Sequence, residues 1–443
     1  MKSKTKRSLR NILRNYIKNT NTNRTIRKLT VADVDGYLDV YLNAYPAYKD
    51  LDDECREKYR KKATLEITQN KEVIHMGMLE GDKVIAIMKV VHFSLNLFGK
   101  MHPACGLMAL GVHPLYKKQG VALAMIREFE KIACEEGAAV TMLLPFNIPF
   151  YRRMGYGFGG RIEEYHIPTM GLPKTDGAGA EHLRFLSLEE LPAVLECHKA
   201  FVRANHGMVD KFEEEIRGMQ DDSQVFRIGY EEDGRLRGYL AWRYREASDV
   251  NYTQMCMSVE EMVYENGRIL REMLGFIRNQ ADLCQTVILR TGEPDFVHLL
   301  EDPQDISKNY IDFGFLQTNI AAVGTMFKII NPEKFIADTR YREFSAESGE
   351  KFTVKFQYEK ELEHEEETIT VAFENGTWET AGGDEADAVV KLRQGTFASV
   401  LMGSADISAM VRLGGAEISS PDCLAKLESL FSYHQKPWCN SDY

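Results

Sequence analysis

Between an apolar run ending at Val112 and an apolar-periodic stretch starting at Val121, the chain reads Lys117-Lys118-Gln119-Gly120. A strand that feeds a helix through such a turn exposes the first N–H groups of that helix, which have no acceptor inside it. Those donors, with roughly half a positive charge from the helix dipole, favour an anion. Gly120 allows close backbone approach, and Lys117 and Lys118 supply whole charges, so a pyrophosphate suits the turn. The pattern is neither GxxxxGK[ST] nor GxGxxG. Alone, it equally fits two solvated lysines before an ordinary helix cap.

The elements that must position this turn are legible around it. Helices are expected near 31–43 and 52–68, followed by two β-rich runs about Glu80-Gly81-Asp82-Lys83, a hairpin signal. Then come a strand over 104–112, the turn, a helix over 119–137, a strand over 138–146 and a short helix in 149–158 that breaks at glycines. The order partly repeats after the Gly- and Pro-rich linker 168–181. A hairpin about Glu232-Asp233-Gly234, a strand over 251–265, a helix over 266–281 and a strand over 283–291 make a second copy. That copy reads "VYENGRIL" where the first reads "VHPLYKKQGVAL", so it lacks the turn. Past Asn331-Pro332 the chain alternates like exposed antiparallel strands and ends in short helices, a third, α+β domain.

Strand, turn, helix, strand and the later "FYRRMGYGF" together resemble the GCN5-related N-acetyltransferase (GNAT) superfamily. Its loop reads Arg/Gln-x-x-Gly-x-Gly/Ala, matched here by Lys117-x-x-Gly120-x-Ala122. Its later segment reads Phe-Tyr-x-x-x-Gly-Phe, matched by Phe150-Tyr151 through Gly155-Tyr156. Lysine for arginine keeps the charge and loses the planar fork. The resemblance implies acetyl-CoA as co-substrate and no metal. It implies that Leu110, Gly111 and Val112 pair with the pantetheine amides, and that a backbone N–H there holds the thioester oxygen as it gains charge. Lys118, Gln119, Gly120, Val121, Ala122 and Leu123 would wrap the pyrophosphate, with Phe146 and Asn147 bordering the thiol end. Tyr151 would protonate the leaving thiolate; phenol and thiol have reference pKa values of about 10 and about 8.5. Tyr156 fills an aromatic packing position, and Arg152 and Arg153 read as surface charges.

Length and layout further resemble the Eis (enhanced intracellular survival) family. The implied fold class is α/β and α+β: tandem GNAT folds, the first functional and the second degenerate, then a sterol-carrier-protein-like domain. The expected boundaries are a basic tail at 1–23, a catalytic domain at 24–165, a degenerate copy at 166–325 and the last domain at 326–443. In that family the terminal carboxylate reaches the active site, which assigns the role to Tyr443, with Asp442 beside it. A carboxylate of reference pKa about 3.5 is a weak base near neutrality, so its expected work is to attract a substrate ammonium and to accept a proton through water. The resemblance also implies primary amines of cationic small molecules, aminoglycosides among them, as acceptors, and a homo-hexamer. Two other readings remain open: a protein or peptide lysine acetyltransferase, and a non-catalytic carrier of apolar ligands through the last domain.

The whole chain fits this picture. Its 443 residues allow about three domains, and 44% apolar with 27% charged residues is a globular composition. Residues 1–28 carry ten Lys/Arg and no Asp/Glu, leaving 45 basic against 66 acidic side chains beyond them. An acidic body attracts cations and repels nucleic acid; the basic tail reads first as a solvated, poorly ordered extension, with contact to RNA or anionic lipid as the alternative. No apolar run approaches the roughly 18 residues of a membrane span. The eight cysteines form no CxxC pair, and with no secretory signal a reducing cytoplasm is expected.

Overall fold

A two-residue reversal needs left-handed backbone, and both predicted hairpins have it. Gly81 lies at φ +60° in the first; Asp233 and Gly234 lie at +55° and +71° in the second. The computed structural model describes residues 23–441, apart from 49–51, 178, 313, 345–350 and 384. The basic tail up to residue 22, Asp442 and Tyr443 lie outside the described residues. The chain divides into two compact units, one of residues up to Val91 with Leu107–Ile132, the other of His92–Gly106 with Ala133 onward.

In the first unit, β1 (Arg24–Lys28) precedes α1 (Val34–Ala44) and α2 (Asp53–Gln69). Next come β2 (Val73–Glu80), β3 (Lys83–Leu97), β4 (Lys100–Val112) and α3 (Val121–Glu135). The strands order as β1-β2-β3-β4, and the outer ends of β3 and β4 belong to the second unit. Leu29, Val34, Leu38, Leu79, Val84 and Ile87 form the core under α1 and α2.

Beyond α3 the second unit continues with β5 (Val140–Leu143), α4 (Ile148–Arg153), β6 (Gly157–Phe158) and β7 (Arg161–Pro168). The second copy follows: β8 (Leu183–Phe185), α5 (Leu191–Ala204), α6 (Glu213–Asp221), β9 (Phe226–Glu232), β10 (Arg235–Glu246), β11 (Met255–Tyr264), α7 (Gly267–Arg278) and β12 (Cys284–Thr291). Short strands β13 (Tyr310–Ile311), β14 (Phe315–Leu316), β15 (Ile320–Val323) and β16 (Met326–Ile329) close it. Two strands cross over between copies. β16 inserts antiparallel between β5 and β6, and β7 pairs with β12 and β15 in the sheet β15-β7-β12-β11-β10-β9-β8. That sheet buries Tyr165, Trp242, Met257 and Leu274.

The last region holds α8 (Pro332–Asp338), β17 (Phe352–Lys360), β18 (Glu365–Glu374), β19 (Thr377–Thr380), β20 (Ala388–Arg393), α9 (Gln394–Leu401), α10 (Ile407–Arg412), β21 (Ala416–Ile418) and α11 (Leu424–Phe431). Its sheet runs β19-β18-β17-β20-β21, with β17 and β20 parallel. Among the described residues no helix is long and apolar enough to cross a membrane, and no group of three His, Cys, Asp or Glu is placed to hold a metal.

Candidate active site

The strand that leads into the turn is not regular. Ala109, inside β4, sits at φ +51°, a conformation that breaks the pleat and that a non-glycine residue adopts at a cost. Just beyond it Leu110 and Gly111 are buried. A Cβ on Gly111 would press within 3.1 Å of Ala44 and 3.3 Å of Ile87, so the small residue is set by packing. The Tyr45 hydroxyl donates to the Leu110 carbonyl at 3.1 Å, and the His113 N–H to Ile85 at 3.0 Å.

Past Val112 the backbone alternates in hand. Lys118 lies at φ +61° and Gly120 at +76°, with Gln119 right-handed or extended between them. Alternation of this kind turns successive N–H groups to one side and makes an anion nest. The Ala124 N–H closes the first turn of α3 on the Gly120 carbonyl. Nothing lies within 4 Å of where a Cβ on Gly120 would stand, so that face is open. Lys117 and Lys118 are exposed. The Gln119 side chain braces the turn: it donates to the Leu115 carbonyl at 3.0 Å and accepts from Arg24 at 2.8 Å. Arg24 is itself held by Glu80 at 2.9 Å and lies 5.8 Å over the Tyr116 ring. Gln119 therefore offers a ligand its backbone. Arg24 and Tyr45 were not singled out from sequence, because their partners lie 95 and 65 residues away.

In the second unit, Asn147 caps α4, its side chain accepting from the Phe150 N–H at 3.2 Å. This local task occupies that oxygen. Phe146 stands 73% exposed with its ring edge-on to Tyr151 at 6.0 Å, so an apolar ligand surface can meet it. Tyr151 is buried and walled by Phe150 at 5.1 Å and Tyr156 at 6.0 Å. Tyr156 is wholly buried and its hydroxyl lies 3.2 Å from that of Thr141. Gly155, at φ +87°, ends the helix. Space also demands glycine here: a Cβ on Gly157 would fall 2.0 Å from the Gly395 carbonyl, and one on Gly155 2.1 Å from Gln394. Both neighbours belong to α9, and Ser399 and Ser404 donate to the Phe158 carbonyl at 2.8 and 2.6 Å. Beside α4 lies a cavity of about 670 Å³ whose walls include Arg152, Phe158, Arg161, Met410 and Lys436 but not Tyr151.

The predicted residues thus fall into two groups. Leu110 to Val112 and Lys118 to Leu123 share the β4–α3 joint of one unit, while Phe146, Asn147 and Tyr151 share the β5–α4 joint of the other. Tyr443 lies outside the described residues.

Residues 25–159 match an acetyltransferase (GNAT) domain family, and residues 207–318 match a second acetyltransferase (GNAT) domain family. The chain is a tandem GNAT acetyltransferase. Residues 332–440 match the sterol carrier protein domain, which makes the layout Eis-like. Solved structures agree in fold over nearly the whole length. A GCN5-related N-acetyltransferase from Kribbella flavida aligns with TM-score 0.73 at 18% identity, covering 96% of this chain and 99% of that one. One from Anabaena variabilis gives 0.75 at 16%, with 95% and 100% covered. Eis1 from Mycobacterium abscessus gives 0.74 at 16%, with 95% and 100% covered. No curated protein matches the sequence significantly.

GNAT domains use acetyl-CoA, and the two copies here treat the helix that would meet it differently. In the first, eight residues separate β4 from α3; in the second, only Glu265 and Asn266 separate β11 from α7. The Asn266 side chain accepts from the Arg268 and Ile269 N–H groups at 3.1 and 3.2 Å. Two of the donors that an anion would need are already taken.

Proposed function

We propose that the protein is an acetyl-CoA-dependent N-acetyltransferase acting on primary amines of cationic small molecules, aminoglycosides among them. The observation that carries the reading is the left-handed backbone of Lys118 and Gly120 on either side of Gln119, opening onto the N-terminus of α3, in a domain of GNAT type. The domain 24–165 does the chemistry, the copy at 166–325 is degenerate, and the domain 326–443 serves as scaffold. The Lys118–Leu123 turn takes the diphosphate, Leu110 to Val112 pair with the pantetheine arm, and Phe146 and Asn147 border the thiol end. The neutral amine attacks the thioester carbonyl, a C–N bond forms and the C–S bond breaks. The Tyr151 phenol gives its proton to the departing thiolate. Before the attack the Tyr443 carboxylate attracts the incoming ammonium and accepts through water the proton that it sheds; after C–N bond formation the nitrogen's second proton leaves to water, and Tyr151 regains a proton from water. The acidic surface suits such a substrate.

Free thiol should appear when the purified full chain meets acetyl-CoA and kanamycin or neomycin. Release with lysine peptides and none with aminoglycosides would favour the protein-acetyltransferase reading. A chain that releases no thiol with any amine, and that carries an apolar ligand in native mass spectrometry, would overturn the enzyme assignment. We further propose that copies of the chain assemble, up to a hexamer. The support is an apolar surface of Tyr310, Ile311, Phe315 and Leu316, all exposed, beside the sheet-edge strand β15.

A further inference from the structure

The second copy has no anion turn, yet it keeps a costly group of charges in its interior. β11 is bulged: Ala241 of β10 faces Glu261 and Trp242 faces Val259, leaving Glu260 as the extra residue. The Glu261 carboxylate accepts from the Tyr239 hydroxyl at 2.6 Å on one oxygen. On the other it meets Lys211 at 3.0 Å and accepts from the Asn440 side-chain amide at 3.0 Å. Lys211 also reaches Glu215 at 3.5 Å, and Glu215 accepts from the Ser441 hydroxyl at 3.1 Å. His198 of α5, 1% exposed, lies 3.4 Å from Glu261.

These contacts close a ring from Asn440 through Glu261, Lys211 and Glu215 to Ser441. Burial would raise the Glu261 carboxyl, but Lys211, His198 and Tyr239 outweigh it and hold it below its ordinary value. Burial opposes the charge on Lys211 too, and Glu261 and Glu215 more than restore it. Burial pushes the His198 imidazole down to about 4, so near neutrality it carries no charge to the ring.

Apolar residues in place of a buried ion pair often leave stability unchanged or higher, so such a pair is better read as fixing a geometry. What this ring fixes is the segment after α11. Upstream, the Gly160 N–H donates to the Pro437 carbonyl at 2.6 Å and the Trp438 N–H to His206 at 3.2 Å. Trp438 fills space that a Cβ on Gly292 would enter at 2.3 Å. Cys439 is buried. The strap thus passes the segment following Tyr156 and ends, among the described residues, in the ring.

We infer that Glu261 is a positioning residue for the chain's own C-terminal segment: with Lys211 and Glu215 it clamps Asn440 and Ser441 to the second domain. The inference deepens the proposed role of the last residues in the reaction, and rests on that role only for its effect on turnover. Hydrogen exchange on the full chain reads the clamp without reference to activity. In Glu261→Gln, peptides from 433–441 should exchange at least about tenfold faster while peptides from the sheet and helices of 352–431 stay unchanged. In the same variant kcat should fall about tenfold with KM for acetyl-CoA unaltered. A strap as protected as in the wild type overturns the inference, whatever happens to kcat. A loosened strap with normal kcat supports the clamp and defeats the C-terminal part of the proposed mechanism instead. If Glu261→Gln fails to fold, Asn440→Ala combined with Ser441→Ala breaks the ring from the strap side and carries the same expectations.

Discussion

In the proposed reaction Gly120 and Tyr151 would bear the two halves of the chemistry, and each can be tested singly. At Gly120 a methyl group meets open space but must adopt φ +76°, which costs about 1–2 kcal/mol for a residue with a Cβ. Gly120→Ala should therefore fold with a melting point within a few degrees of wild type, while acetyl-CoA affinity in calorimetry falls about tenfold as the turn relaxes. Tyr151→Phe keeps the ring contacts with Phe146, Phe150 and Tyr156 and deletes only the proton donor. Its kcat should drop about 10²-fold with acetyl-CoA affinity preserved; normal turnover would remove Tyr151 from the mechanism. Both residues were legible because their signals are local, a short spacing of residue types within one joint. The Ala109 backbone twist was not, since alanine in a strand announces no left-handed φ.

At the scale of elements, α2 is fixed to the sheet by charge as well as by apolar contact. Glu66 reaches Lys89 at 2.8 Å and His75 at 3.2 Å, all three nearly buried, and His75 and Lys89 are cross-strand partners in β2 and β3. Burial works against the Glu66 carboxylate, but His75 and Lys89 prevail and hold it well below its ordinary value. A carboxyl with a lowered folded pKa gives stability that is complete above its unfolded value and is lost as pH falls towards the folded one. Exchange of β2 and β3 amides should therefore accelerate on acidification below about pH 4.5 in the wild type. Glu66→Gln leaves Lys89 buried without its counter-charge. It should cost about 3 kcal/mol at neutrality and flatten that acid response. Hairpins, α3, α7 and β12 were readable from alternation, periodicity and turn residues. β1 was not, being five residues of mixed polarity at a sheet edge, and neither were α5 and α6. The exchange of β7 and β16 between copies was invisible in principle, because strand partnership is non-local and Met326–Ile329 reads the same whichever sheet it joins.

For the whole molecule, the third domain is tied by contact to the segment that follows Tyr151. α9 packs so close to Gly155 and Gly157 that no side chain fits between, so its position and that of the Tyr151 segment are set together. The same scale exposes what the fold leaves uncovered. The hairpin β13–β14 presents Ile311 and Phe315 at 65% and 70% exposure, and β15 ends its sheet with exposed Ile320 and Val323. An apolar patch next to an open strand edge is a liability unless another surface covers it, and a second copy is the partner always at hand. Sedimentation at micromolar concentration should show an assembly larger than 50.6 kDa. Ile311→Asp with Phe315→Asp should shift it towards monomer, because burying two unpaired carboxylates costs more than the contact returns. Both residues lie far in sequence from the turn and from Tyr151, so each monomer should still bind acetyl-CoA. A wild type that sediments as a monomer would show that the patch is tolerated in water and would end the case for assembly through it.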